Sequence, residues 1–113
     1  MVLRYSWRMQ TVIQVISAGT GSLRDTIVND KRLERFGLVV AEQKRQTRAP
    51  GWAKIHMPGE LGAINIQWHG ASRTLICRIV TRGGKPDAIA GAFTNYLLAR
   101  LARQIHLIQI IPG

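Results

Sequence analysis

The fold is decided by the stretch 61–113, whose sequence is LGAINIQWHGASRTLICRIVTRGGKPDAIAGAFTNYLLARLARQIHLIQIIPG. Polar and apolar side chains alternate in residues 63–69 and again in 74–82, which is typical of half-buried strands. A turn at 69–72 separates the two runs, so they predict a hairpin. The apolar side chains assigned to its inner face are Ile64, Ile66, Trp68, Leu75, Cys77 and Ile79. The opposite face is mixed, because Ile76 and Val80 alternate there with Arg78 and Arg82.

A helix is predicted from about residue 86 to 103. Pro86 and Asp87 suit its first turn, and Arg100 and Arg103 suit the negative end of its dipole. One stripe of this helix carries the large apolar residues Ile89, Phe93, Tyr96, Leu97 and Leu101. A second stripe carries mainly small residues, and it is predicted to be a dimer or packing surface formed by Gly91, Ala92, Asn95, Ala99 and Ala102. The helix is therefore expected to be buried on two sides, against the sheet and against a helix or a second copy.

Residues 105–111 predict a final strand that is apolar on both faces. Such a strand is expected in the interior of a sheet, with His106 as a hydrogen-bonded core histidine. The order strand, helix, strand favours a crossover between parallel strands, although an antiparallel arrangement is also consistent with the pattern.

The first half of the chain adds further elements. Strands are predicted at 10–17, 36–41 and 52–57. A short helix near 23–35 follows the capping residues Ser22 and Asp25, and a break at Asn29-Asp30 is an equal alternative. The whole chain, 1–113, is thus interpreted as one α+β domain with a mainly antiparallel sheet of five to six strands, packed by the C-terminal helix.

The net charge indicates which class of partner to expect. The chain carries 16 Lys and Arg against 6 Asp and Glu, a formal net charge of +10, and this field attracts polyanions. Between Lys31 and Lys54 there are seven basic residues and two acids. No apolar run is long enough to cross a membrane. The single cysteine, Cys77, excludes an internal disulfide, and a cytoplasmic location is expected.

The preferred hypothesis is a non-enzymatic DNA- or RNA-binding domain that acts as a homodimer. Arginine and aromatic planes stack on unpaired bases, and Lys and Arg neutralise phosphates. The predicted nucleic-acid-binding residues are Lys44, Arg45, Arg48, Trp52, Lys54, Arg78, Arg82 and Lys85. On the same face the alternation predicts His56, Asn65, Gln67 and His69.

Three alternatives remain open at this stage. The first is an interaction or assembly module with incidental charge, using the small-residue stripe of the helix. The second is a small ribonuclease-like enzyme, with His56 or His69 transferring a proton and Arg78 or Arg82 stabilising negative charge. The third is a small-molecule pocket between helix and sheet, which core packing would equally explain; its lining would be Trp68, Phe93 and Tyr96. No metal or cofactor is expected, because the histidines and Cys77 lack paired spacing.

Overall fold

A computed structural model of the chain describes residues 10–41, 51–81 and 86–113, which form a six-stranded antiparallel sheet with helices. The strands are β1 (Gln10–Ser17), β2 (Val39–Val40), β3 (Trp52–His56), β4 (Ala63–His69), β5 (Thr74–Val80) and β6 (Ile105–Ile111). The helices are α1 (Leu23–Val28), α2 (Asp87–Leu101) and 3-10 helices at Lys31–Phe36, Gly70–Ser72 and Ala102–Gln104. The predicted fold class is therefore confirmed.

The strand order is β2-β3-β4-β5-β1-β6. β1 is antiparallel to both β5 and β6, so β5 and β6 run in the same direction with β1 between them. The connection through α2 is thus a crossover that skips one strand.

One face of the sheet, here called the inner face, carries the core. The inner residues predicted for the hairpin lie there, and all are fully buried except Trp68, which is half-buried. The large apolar stripe predicted for α2 is buried in the same cluster, together with Leu23 and Ile27 of α1. The described helices therefore cover this face and leave the opposite face, here called the outer face, without a helix.

The position of β6 corrects the prediction of an interior strand. β6 lies at the edge of the sheet, with β1 as its one described neighbour, and Leu107, Ile110 and Ile111 are 46–48% exposed. His106 is exposed rather than a core histidine. An apolar pattern on both faces cannot separate an interior strand from an edge strand that retains apolar side chains.

The segment 23–41 also differs in part from its prediction. The helix breaks at Asn29-Asp30, as the alternative had it, because Asp30 caps the 3-10 helix through its carboxylate. The strand predicted at 36–41 shrinks to Val39–Val40, since Phe36 ends that 3-10 helix and Gly37 takes a left-handed conformation (φ +78°).

Most of the small-residue stripe predicted for the C-terminal helix faces away from the core, but Ala92 packs against it. Gly91, Asn95, Ala99 and Ala102 are exposed and Ala92 is half-buried. No described atom outside the helix lies within 4 Å of a Cβ built on Gly91, so the close packing expected there is not made within the described chain. Its use as a dimer surface stays a prediction.

Candidate nucleic-acid interface

The outer face is the surface on which the predicted binding residues meet. Cross-strand neighbours share a face of a sheet, so the register identifies its members. Lys54 lies opposite Asn65, and Asn65 lies opposite Arg78. Lys54 and Arg78 are both exposed, and about 10 Å separates their Cα atoms, because two inter-strand spacings lie between them. This Lys54–Asn65–Arg78 row places an amide between two cations.

Trp52 lies in the neighbouring row. It is half-buried and opposite Gln67, which brings an aromatic ring and a second amide beside the Lys54–Asn65–Arg78 row. The Trp52 carbonyl accepts hydrogen bonds from Arg24 Nε at 3.1 Å and Arg24 Nη2 at 2.9 Å. Helix α1 therefore fixes the start of β3, and with it the position of this tryptophan.

A cleft of about 540 Å³ opens beside the row. Its polar lining comes from Lys54, His56 and Asn65, and its other lining residues are Ala41, Leu61, Gly62, Ala63 and Val80. Ala41 is held against β3 because its N–H donates to the Lys54 carbonyl at 2.7 Å. The cleft offers a cation, an imidazole and an amide to a bound anion.

None of the described acids lies on a strand. Asp25, Asp30, Glu34 and Asp87 belong to helices or their caps, and Glu60 lies in the turn after β3. The six strands carry no Asp or Glu at all. Attraction of an anion to Lys54 and Arg78 is therefore not opposed by a carboxylate on the strands.

The outer face divides into two parts. The basic half, formed by β3, β4 and β5, carries Lys54, Arg78 and two histidines. The neutral half, formed by β1 and β6, has no Lys, Arg, Asp or Glu. Charge is therefore concentrated toward one side of the sheet.

The structure brings together Trp52, Lys54 and Arg78 of the predicted binding set. Lys44, Arg45, Arg48, Arg82 and Lys85 lie outside the described residues. The cleft residues Ala41, Leu61 and Gly62 were not predicted. The shared cleft and the hydrogen bond from the Ala41 N–H to the Lys54 carbonyl place these residues beside Lys54, and a sequence displays neither.

The ribonuclease-like alternative needs only one histidine beside Arg78 or Arg82, and its two candidate histidines lie far apart. His56 and His69 lie at opposite ends of the β3–β4 hairpin, since His56 continues the register to Ala63. Six residue steps along β4 then separate them, about 20 Å. Within the described ranges, no group of three or more His, Cys, Asp or Glu is arranged to hold a metal ion.

The hypothesised small-molecule pocket is occupied by core packing. Phe93 and Tyr96 are fully buried, and their ring centroids are 6.3 Å apart. Trp68 is half-buried and packs against the same core. The simpler interpretation of these aromatic residues, as core, is therefore the one the contacts favour.

The chain matches no protein-family model, and no curated protein or solved structure is significantly similar to it. Among the described helices, none has both the length and the apolar composition that a membrane crossing requires.

Proposed function

We propose that this protein is a non-enzymatic DNA- or RNA-binding domain of the cytoplasm that acts as a homodimer and binds through the basic half of its outer face. The observation that carries the proposal is the Lys54–Asn65–Arg78 row, whose two cations are exposed, on strands free of acids. Lys and Arg neutralise phosphates, and this neutralisation supplies most of the sequence-independent affinity for nucleic acid.

A single strand suits this surface better than a duplex. The basic half is a sheet face, and it presents Trp52 for stacking and the amides of Asn65 and Gln67 for base edges. Unpaired bases can be stacked and hydrogen-bonded in this way, whereas a duplex hides those edges. The assembly-module alternative would instead use the exposed stripe of α2.

The double variant Lys54→Gln/Arg78→Gln tests the surface. We expect about a tenfold loss of affinity for a labelled single-stranded oligonucleotide near 100 mM salt, and a salt slope smaller by about 1 to 2, because two phosphate contacts disappear. Fluorescence anisotropy over a salt series measures both quantities. Thermal stability should not change, since both side chains are exposed.

The matched control is Lys31→Gln/Arg35→Gln. It lowers the net charge equally but removes exposed cations of the 3-10 helix at Lys31–Phe36, on the helical side of the sheet. We expect less than a twofold change in affinity. Equal losses in both variants would show that total charge rather than the outer face binds, and absence of binding by the wild type at any salt would overturn the proposed function.

A further inference from the structure

Strand β6 is an edge strand of a kind that natural proteins usually avoid. An edge strand exposes unpaired backbone N–H and C=O groups, and charges, prolines or bulges normally block them. Between Leu107 and Ile111, β6 has no charge, no proline and a regular register with β1. The side chains of Leu107, Ile110 and Ile111 are nearly half exposed as well. Both the backbone groups and the side chains of this edge are therefore available, within the described structure, to pair with another strand.

The hydrogen-bond pattern shows which β6 residues face the edge. The Ser17 N–H donates to the Arg73 carbonyl of the β5 side at 2.9 Å, so the backbone groups of Ser17 point toward β5. Backbone direction alternates along an antiparallel strand, so Gln14 and Ile16 point toward β6. Their partners, Gln109 and Leu107, point back toward β1. The backbone groups of Ile108 and Ile110 therefore point outward, where no described strand meets them.

We propose that this edge pairs with β6 of a second copy, antiparallel about a two-fold axis at Gln109. The inference deepens the homodimer part of the proposed function and rests on it. The stretch Leu107-Ile108-Gln109-Ile110-Ile111 is nearly the same in both directions about Gln109. With the axis there, Ile108 lies opposite Ile110 on the inner face and Leu107 opposite Ile111 on the outer face. An axis at Ile108 would instead set apolar residues opposite polar ones, with Leu107 opposite Gln109 and Ile110 opposite His106.

The backbone pattern fits the same axis. Ile108 and Ile110 both point toward the edge, so they form hydrogen-bonded pairs in this arrangement, and the two Gln109 residues form a non-hydrogen-bonded pair. Apolar side chains that lie directly opposite one another also contact each other, which stabilises the pairing.

Charge on the described strands favours a second copy at this edge over the basic half of the outer face. Two copies, each with a net charge of +10, repel one another, and the repulsion is weakest where charged side chains are farthest away. β1 and β6, the two strands nearest this edge, contain no Lys, Arg, Asp or Glu. The pairing joins both outer faces into one continuous surface, with a basic half at each end. A single strand could then contact two binding sites.

Disulfide trapping of Gln109→Cys in the full chain tests the axis. The Cα atoms of a non-hydrogen-bonded pair lie about 4.5 Å apart, within the range that a disulfide spans. We expect mild oxidation without nucleic acid to yield a reducible dimer as the main species on a denaturing gel. Cys77 is fully buried and should not contribute.

The matched control is Gln14→Cys, on the same face of β1 and opposite Gln109. It lies one strand away from the edge, so we expect at least a tenfold lower dimer yield. In a second variant, Ile110→Pro is added to Gln109→Cys. It removes an outward N–H without removing a hydrogen bond to β1, so it should abolish cross-linking while circular dichroism stays that of the wild type.

Light scattering of the wild type at about 100 μM, together with Leu98→Asp on the exposed side of α2, separates the outcomes. A dimer that Ile110→Pro disrupts and Leu98→Asp preserves supports the pairing. A dimer that survives Ile110→Pro and is lost with Leu98→Asp overturns the β6 interface but keeps the homodimer. A monomer overturns both the β6 interface and the homodimer. The strand that pairs with the β6 edge would then come from another protein. This outcome does not affect the nucleic-acid test.

Discussion

Gly62→Ala is expected to lower the free energy of unfolding by about 3–5 kcal/mol, a large part of the 5–15 kcal/mol typical of a domain. Gly62 has a φ of +125°, a backbone conformation that L side chains rarely adopt. A Cβ at this position would lie 2.3 Å from the Val80 carbonyl oxygen and 2.9 Å from Thr81 Cα. Both obstacles are backbone atoms, so the variant can fold only if β4 and β5 separate beside the cleft.

Two other glycines separate the causes of this loss. Gly59 also has a positive φ (+94°), but no atom lies within 4 Å of a built Cβ, so Gly59→Ala should cost about 1–2 kcal/mol. Gly91 lies in α2 with open space around it, and Gly91→Ala should stabilise the protein by about 1 kcal/mol. Urea denaturation of the three variants measures the order. A loss at Gly62 no larger than that at Gly59 would show that the close approach to β5 is absent.

The hairpin and α2 were predictable because the local pattern and the tertiary structure agree there. Alternation in 63–69 and 74–80 reflects a sheet with one buried face, and the stripe from Ile89 to Leu101 reflects the same core. The prediction that β6 is an interior strand was wrong because an apolar sequence does not show how many strands lie beside it. Strand order depends on contacts between distant segments, such as β1 with β5 and β6, which no local pattern contains.

The candidate site was predictable only where its residues lie on regular strands. Alternation placed Trp52, Lys54, Asn65 and Arg78 on one face, and the register confirms this placement. The cleft was not predictable, because Leu61 reaches it after the turn that follows β3, and Ala41 reaches it by continuing β2 beside β3. A charge count also could not show that the described acids lie off the strands.

Replacement of Asp30 is expected to produce the second large effect. The Asp30 carboxylate accepts hydrogen bonds from Tyr96 Oη (2.9 Å), Arg100 Nε (3.1 Å), Arg100 Nη2 (3.2 Å) and the Arg32 N–H (3.0 Å). It thereby joins the cap of the 3-10 helix to α2, and its side chain is only 9% exposed. Asp30→Ala leaves the buried Tyr96 hydroxyl without its acceptor and should cost about 2–4 kcal/mol. Asp25→Asn is the control, because Asp25 pairs with Arg24 at 2.9 Å but is 61% exposed, and it should cost less than 1 kcal/mol.

The pH dependence identifies the carboxylate as the cause. Hydrogen bonding from Arg100, assisted by the Arg32 N–H and Tyr96, lowers the pKa of Asp30 from 3.8 to about 2 against the opposing effect of burial. A carboxyl whose pKa is lowered by folding stabilises the protein above its unfolded pKa, and this contribution is lost as the pH falls through the folded pKa. The stability difference between wild type and Asp30→Asn should therefore be constant from pH 7 to about 4 and shrink toward pH 2. Because protonated Asp30 resembles Asn, a difference that persisted undiminished below pH 2 would show that shape, not charge, makes Asp30 stabilising.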